Sequence, residues 1–242
     1  MAKDVIIACD FGSADETLAF LEQFGDRRPF VKIGMELFYA EGPSIVKRLK
    51  ERGHKIFLDL KVHDIPNTVR RAMSVLARLD VDIVNVHAAG SRKMMQAAFE
   101  GLNTASFTMG CDFSESSRPL LIAVTQLTST DQNTLEEELM IEAPIKDVCM
   151  HYALNAKMAN LDGVVCSAQE VEKIHAVCGD GFLTITPGIR LEDDERGDQK
   201  RIMTPAQARA VGSDYIVVGR PITKVADPVA AYDRFCKEFL GE

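Results

Sequence analysis

The run Ile56-Phe57-Leu58-Asp59-Leu60-Lys61-Val62-His63-Asp64-Ile65-Pro66-Asn67-Thr68 changes character twice, and that change decides the fold. Ile56 to Leu60 is an apolar, β-favouring run broken only by Asp59, which reads as a buried strand. Charge then accumulates at Asp59, Lys61 and Asp64, after which Val69, Met73 and Leu76 recur at helical spacing, with Asn67 as the expected N-cap. A buried strand that ends in charge and gives way to an amphipathic helix is one βα unit.

The same alternation extends in both directions. Strands are expected at Val5 to Cys9, Phe30 to Ile33, Ile56 to Leu60, Ile83 to Val86, Leu120 to Val124, Gly163 to Cys166, Leu183 to Thr186 and Tyr215 to Val218, each followed by a helical pattern. Eight parallel units close a barrel, and 242 residues is near the roughly 250 typical of one. The expected fold is therefore α/β, a single (β/α)8 barrel over residues 1–242. Helix starts are written locally: Ser13 with Glu16 as a capping box, and Thr204-Pro205 and Asp227-Pro228 as caps followed by proline in the first turn. Two segments exceed the minimal repeat. Thr128 to Pro144 is acidic, with a short helix expected around Leu135 to Met140, and Gly188 to Lys200 is rich in charge and glycine. Both follow strands and so belong on the active face of a barrel, the second as a mobile lid. Gly101 to Arg118 leads into a strand and belongs on the opposite face.

Composition narrows the function. Apolar residues make up 46% and charged residues 26% of the chain, an ordinary globular balance. The net charge of -8 opposes binding to nucleic acid. No apolar run approaches the ~20 residues that span a bilayer, and no signal-peptide pattern opens the chain, so a cytoplasmic protein is expected. The six cysteines (Cys9, Cys111, Cys149, Cys166, Cys178, Cys236) are scattered without a C-x-x-C pair and read as reduced thiols.

The residues at the strand ends are strongly polar: Asp10, Lys32, Asp59 with Lys61, His87, Thr125 with Gln126, Ser167, Pro187 with Arg190, and Gly219 with Arg220. Barrel enzymes place their catalytic groups there, although solvated loop residues would give the same list. Asp59 and Lys61 are two apart, so strand alternation sends both toward the barrel mouth. Lys32, Asp59, Lys61 and Asp64 then form a set of alternating charges; at ~4 Å and an effective dielectric near 20, each opposite pair attracts by about 4 kcal/mol. Taken alone, D-x-K-x-x-D is equally compatible with an ordinary salt bridge at a strand end. Gly188 and Arg190 after the seventh strand, and Gly219 and Arg220 after the eighth, lie where barrels commonly bind phosphate. Glycine admits close main-chain approach there, and arginine offers a planar fork of donors. His87 without a partner motif reads as a structural histidine.

With its continuation Ile65-Pro66-Asn67-Thr68, the charged run resembles the signature of the orotidine 5'-phosphate decarboxylase family. The likeness extends along the chain through Ala8-Cys9-Asp10, Val31-Lys32-Ile33-Gly34, Val124-Thr125-Gln126-Leu127-Thr128-Ser129, Thr186-Pro187-Gly188-Ile189-Arg190, Gly197-Asp198-Gln199-Lys200-Arg201 and Val217-Val218-Gly219-Arg220-Pro221-Ile222. The resemblance implies a barrel of the ribulose-phosphate-binding type that decarboxylates a pyrimidine nucleotide without a cofactor or metal. It implies that Lys61 protonates C6 of the pyrimidine, that Asp59 lies beside the substrate carboxylate, and that Asp10 and Lys32 bind ribose hydroxyls. Thr125 would lie near the pyrimidine edge, Gln199 would contact phosphate with Pro187, Arg190, Gly219 and Arg220 close by, and Asp64, Ile65 and Thr68 would reach into the partner's site of a homodimer. Magnesium-dependent sugar-phosphate decarboxylases and aldolases of the same superfamily share D-x-K-x-x-D, but they resemble this chain less, because they place a glutamate ligand where Lys32 stands. A cation at that position repels a divalent metal. A non-catalytic nucleotide-binding barrel would share the phosphate site but has no need of the charge array.

Overall fold

Every second residue of eight strands points into one apolar interior, and that interior sets the architecture. The computed structural model describes residues 3–108, 118–192 and 202–241. Strands β1 (Asp4–Ala8), β2 (Phe30–Gly34), β3 (Ile56–Val62), β4 (Ile83–His87), β5 (Leu120–Val124), β6 (Gly163–Val165), β7 (Leu183–Thr186) and β8 (Tyr215–Val218) pair in sequence order, and β8 returns to β1 in parallel. The closed (β/α)8 barrel expected from the alternation is the fold.

The helices complete the eight units: α1 (Ala14–Glu22), α2 (Met35–Glu41) with α3 (Pro43–Glu51), α4 (Pro66–Leu76), α5 (Ser91–Thr108), α6 (Gln132–Glu137) with α7 (Ile145–Met158), α8 (Val171–Cys178), α9 (Pro205–Ala210), and α10 (Arg220–Thr223) with α11 (Pro228–Leu240). Inside the barrel, Ile6, Phe30, Phe57, Ile83, Ile122, Ile185 and Tyr215 form one packed cluster. The alternate residues, such as Ile7, Ile33, Leu58, Val84 and Val218, pack outward with helix residues Leu18, Leu49, Met73, Met94 and Phe235 in a second. Both faces of each strand are thus buried, which explains why the strands read as apolar runs. Among the described residues, no helix is long and apolar enough to cross a membrane. Cys9, Cys149, Cys166, Cys178 and Cys236 are free thiols, and Cys111 lies outside the described residues. Burial pushes the Cys9 thiol up to about 12, which keeps it unreactive.

One device recurs at the N-terminal face of the barrel. Asp82, Asp162 and Asp214 each stand just before an even-numbered strand, and their carboxylates accept from Ile56 N, Leu121 N and Thr184 N of the preceding strands at 2.8, 2.7 and 2.8 Å. Each closes an N-H that would otherwise face an open strand end. Asp162 also receives both guanidinium nitrogens of Arg118, at 2.7 and 2.8 Å, a bidentate pair.

Several helix starts differ from the sequence reading. Pro66, with its fixed φ, suits the first helical position, so α4 begins there with Ile65 in the cap position. Asn67 is therefore inside the helix, and its side chain accepts from Arg70 instead. Ser13 caps α1, but Glu16 reaches back to Gly12 N. The short helix after β5 starts earlier than expected because Asp131 caps it at Thr134 N, and Met140, at φ 57, lies beyond its end. Thr204 and Asp227 cap α9 and α11 as expected.

Asp162→Ala would strip the Arg118 guanidinium of its carboxylate, leaving it the Pro119 carbonyl, and would leave the Leu121 N-H unpartnered at a partly buried site. A loss of about 2–3 kcal/mol is expected, read as a lower urea midpoint at unchanged slope.

Candidate active site

Lys32, Asp59 and Asn85 each stand two residues beyond an inward-facing apolar residue, namely Phe30, Phe57 and Ile83. Strand alternation therefore turns all three into the mouth of the barrel. The Lys32 ammonium lies between two carboxylates, 3.1 Å from Asp10 Oδ1 and 3.2 Å from Asp59 Oδ2. On the other oxygen of Asp59, Lys61 Nζ approaches to 2.8 Å and Asn85 Nδ2 to 2.7 Å. Gly34 leaves room for this cluster: a Cβ there would stand 3.2 Å from Asp10 Oδ1 and 3.4 Å from Lys32 Nζ, a tight fit that would press on both side chains.

Lys61 reaches Asp59 by a route that simple alternation does not give. Between Leu58 and Val62, β3 advances four residues while β4 advances two, from Val84 to Val86. The extra length forms a bulge in which Lys61 adopts φ 51. A non-glycine residue in that region costs on the order of 1–3 kcal/mol and persists only where its surroundings hold it. Here Lys61 N donates to Asn85 Oδ1 at 2.8 Å, in place of a main-chain ladder bond.

The electrostatics follow from burial. Asp59 is 6% exposed. Burial alone would raise its pKa, but Lys32, Lys61 and the Asn85 amide together outweigh that and hold it below the usual carboxylate value. Burial pulls Lys32 down, while Asp59 and Asp10 more than compensate, so its ammonium holds its proton more firmly than a free lysine. His87, near His63 at a ring separation of 5.9 Å, is lowered first by burial and then by His63 and Lys61.

Lys32, Asp59 and Lys61 border a cavity of about 240 Å³. Phe57, Val124, Val165 and Val217 form its apolar floor; Lys32, Asp59 and Lys61 stand on one side and Gln126 to Ser129 and Pro187 on the others. A planar ring fits an apolar floor, and the charged wall meets its polar edge.

Of the residues singled out in the sequence, Asp10, Lys32, Asp59 and Lys61 are brought together. Asp64 is not: its carboxylate accepts from Ile65 N, and among the described residues no cation pairs with it. Asp64, Ile65 and Thr68 are all exposed on the same chain's surface. Thr125 is buried, with its hydroxyl donating to Val165 O, while its neighbours Val124 and Gln126 to Ser129 border the cavity. Gly219 lies against Ala8 and Asp10 and precedes α10, whose first residue is the exposed Arg220. Arg190 is 8% exposed, with Nη1 donating to Ile189 O. Gln199 and most of the 188–200 lid lie outside the described residues. Asn85 belongs to none of the sequence motifs, although a lone amide at an inward position of the otherwise apolar Ile83-Val84-Asn85-Val86 is a usable signal.

A family model described as "Orotidine 5'-phosphate decarboxylase / HUMPS family" matches residues 3–235. The chain belongs to this family. Proteins named orotidine 5'-phosphate decarboxylase are 54% identical to it over 242 residues in Geobacillus sp. (strain WCH70), covering 100% of this chain and 99% of the relative. In Bacillus caldolyticus the identity is 56% over 243 residues, covering 100% and 96%. A crystal structure of orotidine 5'-phosphate decarboxylase from Lactobacillus acidophilus superposes with a TM-score of 0.85 at 42% identity, over 98% of this chain and 99% of that one. The orotidine 5'-phosphate decarboxylase family likeness thus spans the whole barrel, including the strands that carry the charge cluster.

Linkage between charge and stability gives a test of that cluster. With its pKa depressed, Asp59 stabilises the fold above the normal carboxylate range, and that contribution is lost as pH falls through its lowered folded value. Lys32→Met removes the stronger of the two lysine charge attractions, and burial, opposed then by Lys61 and Asn85 alone, moves the Asp59 pKa up from its parent value. A folded state that binds the proton more tightly than the parent's loses less stability, relative to the parent, on acidification. The variant should be about 3–5 kcal/mol less stable than the parent near pH 7, and the deficit should shrink near pH 4.5. Equal deficits in urea unfolding at the two pH values would contradict the arrangement.

Proposed function

We propose that this protein decarboxylates orotidine 5'-monophosphate to uridine 5'-monophosphate and CO2 in pyrimidine biosynthesis, with Lys61 as the proton donor. The observation that carries the mechanism is the Lys61 ammonium, 2.8 Å from a buried carboxylate and bordering the cavity. As the C6-carboxylate bond breaks, its electron pair stays on C6. The ammonium faces that growing charge, and an interaction that strengthens toward the transition state is one that accelerates the step. Lys61 Nζ then passes a proton to C6, and solvent restores it. Asp59 orients the ammonium, and its own charge faces the substrate carboxylate until CO2 leaves.

Lys32 and Asp10 supply a donor and an acceptor for ribose hydroxyls. Arg190, Gly219, Arg220 and Pro187, with Gln199 beyond the described residues, make up the phosphate end, and Thr125 belongs to the pyrimidine end. The Lys32 ammonium also supports chemistry without a metal: it fills the position between Asp10 and Asp59 that a divalent cation would need. A cytoplasmic setting fits the free, buried thiols.

The active unit in this reading is a homodimer. Asp64, Ile65 and Thr68 are exposed together beside the cavity strand, with Ile65 at 66% exposure. A two-fold interface would carry them into the partner's site.

Two experiments test these readings. Loss of orotidine 5'-monophosphate, followed by absorbance in buffer with EDTA, should proceed at the same rate with and without added magnesium, and Lys61→Ala should nearly abolish it while still binding the product. Full turnover by Lys61→Ala would end the proposed proton transfer. Separately, mixing inactive Lys61→Ala and Asp64→Ala proteins should restore about a quarter of parent activity, since half the dimers then carry one intact shared site. No recovery after subunit exchange would place Asp64 in its own chain's site.

A further inference from the structure

Asn85 has no part in the proton transfer above, yet it is the most enclosed polar side chain of the charge cluster, at 1% exposure. Its amide faces Asp59 Oδ1 with the donor end and accepts from Lys61 N with the other, at 2.7 and 2.8 Å. The same Asp59 oxygen receives the Lys61 ammonium. The contacts form a closed loop that leaves the Lys61 main chain, crosses Asn85 to Asp59, and returns through Lys61 Nζ. We propose that Asn85 is a positioning residue for the decarboxylation, locking the β3 bulge so that main chain and ammonium of Lys61 are registered on the same carboxylate. This rests on the proton-transfer reading given above.

The chemistry of the position is restrictive. Lys61 N-H needs an acceptor because the β3-β4 ladder is interrupted there. Asp59 needs a neutral donor that adds no third cation. A planar amide offers both at the right separation; a hydroxyl is too short to span them, and a carboxylate lacks the donor. The orientation of the amide is also determined, since reversal would set N-H against N-H and oxygen against oxygen. A residue that merely filled a buried space would not need to meet both partners at once.

Asn85→Leu removes both contacts at similar volume, and Asn85→Asp keeps the acceptor for Lys61 N while removing the donor to Asp59. The charged groups around the position are Asp59 and Lys61 on β3, Lys32 on β2, and His87 further along β4, which burial keeps low. For Asn85→Leu, kcat should fall on the order of 100-fold, the effect of a small displacement at the reacting group, with product-nucleotide affinity and KM nearly unchanged. For Asn85→Asp, the introduced carboxyl shares a site with Asp59 and takes up a proton more readily. Turnover should be reduced near pH 8 and should rise as pH falls toward about 6, where that carboxyl regains a donor; the parent should show no such rise. If the leucine variant does not fold, the aspartate variant alone decides. Parent kcat in whichever variants fold, with only the melting temperature lowered, would reduce Asn85 to a structural residue. A parent protein that does not turn over orotidine 5'-monophosphate would instead overturn the functional reading itself.

Discussion

A carboxylate held out of water at the mouth of an apolar barrel is the constraint on which this site depends. Asp59 would be protonated or displaced if it stood alone among Phe57, Val124 and Val217. Lys32 on one oxygen and Lys61 with Asn85 on the other keep it charged. The need to assemble those three groups explains features that otherwise look unrelated: the absence of a side chain at Gly34, the bulge in β3, and the positive φ of Lys61. The strain at Lys61 is retained because the closed loop of contacts around Asp59 holds it in place.

The contrast between the two ends of the barrel shows how position turns one residue type to different work. Asp82, Asp162 and Asp214 at the N-terminal face accept main-chain N-H groups of neighbouring strands and stabilise the barrel edge. Asp10 and Asp59 at the C-terminal face meet ammonium groups, and Asp59 borders a cavity. Strands run parallel, so their free N-H groups all emerge at one end and their side-chain cluster opens at the other. The carboxylates sort accordingly.

That polarity is why much of the molecule was legible in its sequence. Strands buried on both faces must be apolar runs, and polar residues at their C-terminal ends must face the mouth, so the barrel, the placing of Asp10 at a strand end and the convergence of Lys32, Asp59 and Lys61 follow from pattern. What escaped pattern was decided by geometry that periodicity does not encode. A two-residue excess of β3 over β4 leaves no mark in hydrophobicity, so the Lys61 bulge was invisible and its orientation was ascribed to plain alternation. Pro66 competed with Asn67 for the helix start and won through its fixed φ. Asn85 lay between valines and looked like a tolerated polar residue, because its value lies in two partners distant in sequence. Asp64 was grouped with the other charges on spacing alone, although the loop after β3 carries it to the surface.

The two lysines on Asp59 are not equivalent, and the difference separates holding charge from moving a proton. Lys32 touches two carboxylates and its side chain is 12% exposed, while Lys61 touches one and is 24% exposed. Burial works against the Lys32 charge, but two anionic partners outweigh it and hold the proton above its usual affinity, so Lys32 behaves as a fixed cation. Lys61 has one carboxylate partner and a more open approach from the cavity, and its main chain is tied to Asn85. A donor must be close to the reacting atom and able to release its proton as charge develops there. In the reaction proposed above that donor is Lys61, which borders the cavity. In that proposal Lys32 has the complementary task of keeping Asp59 ionised throughout, so that the ammonium it orients stays in place as negative charge grows on the carbon.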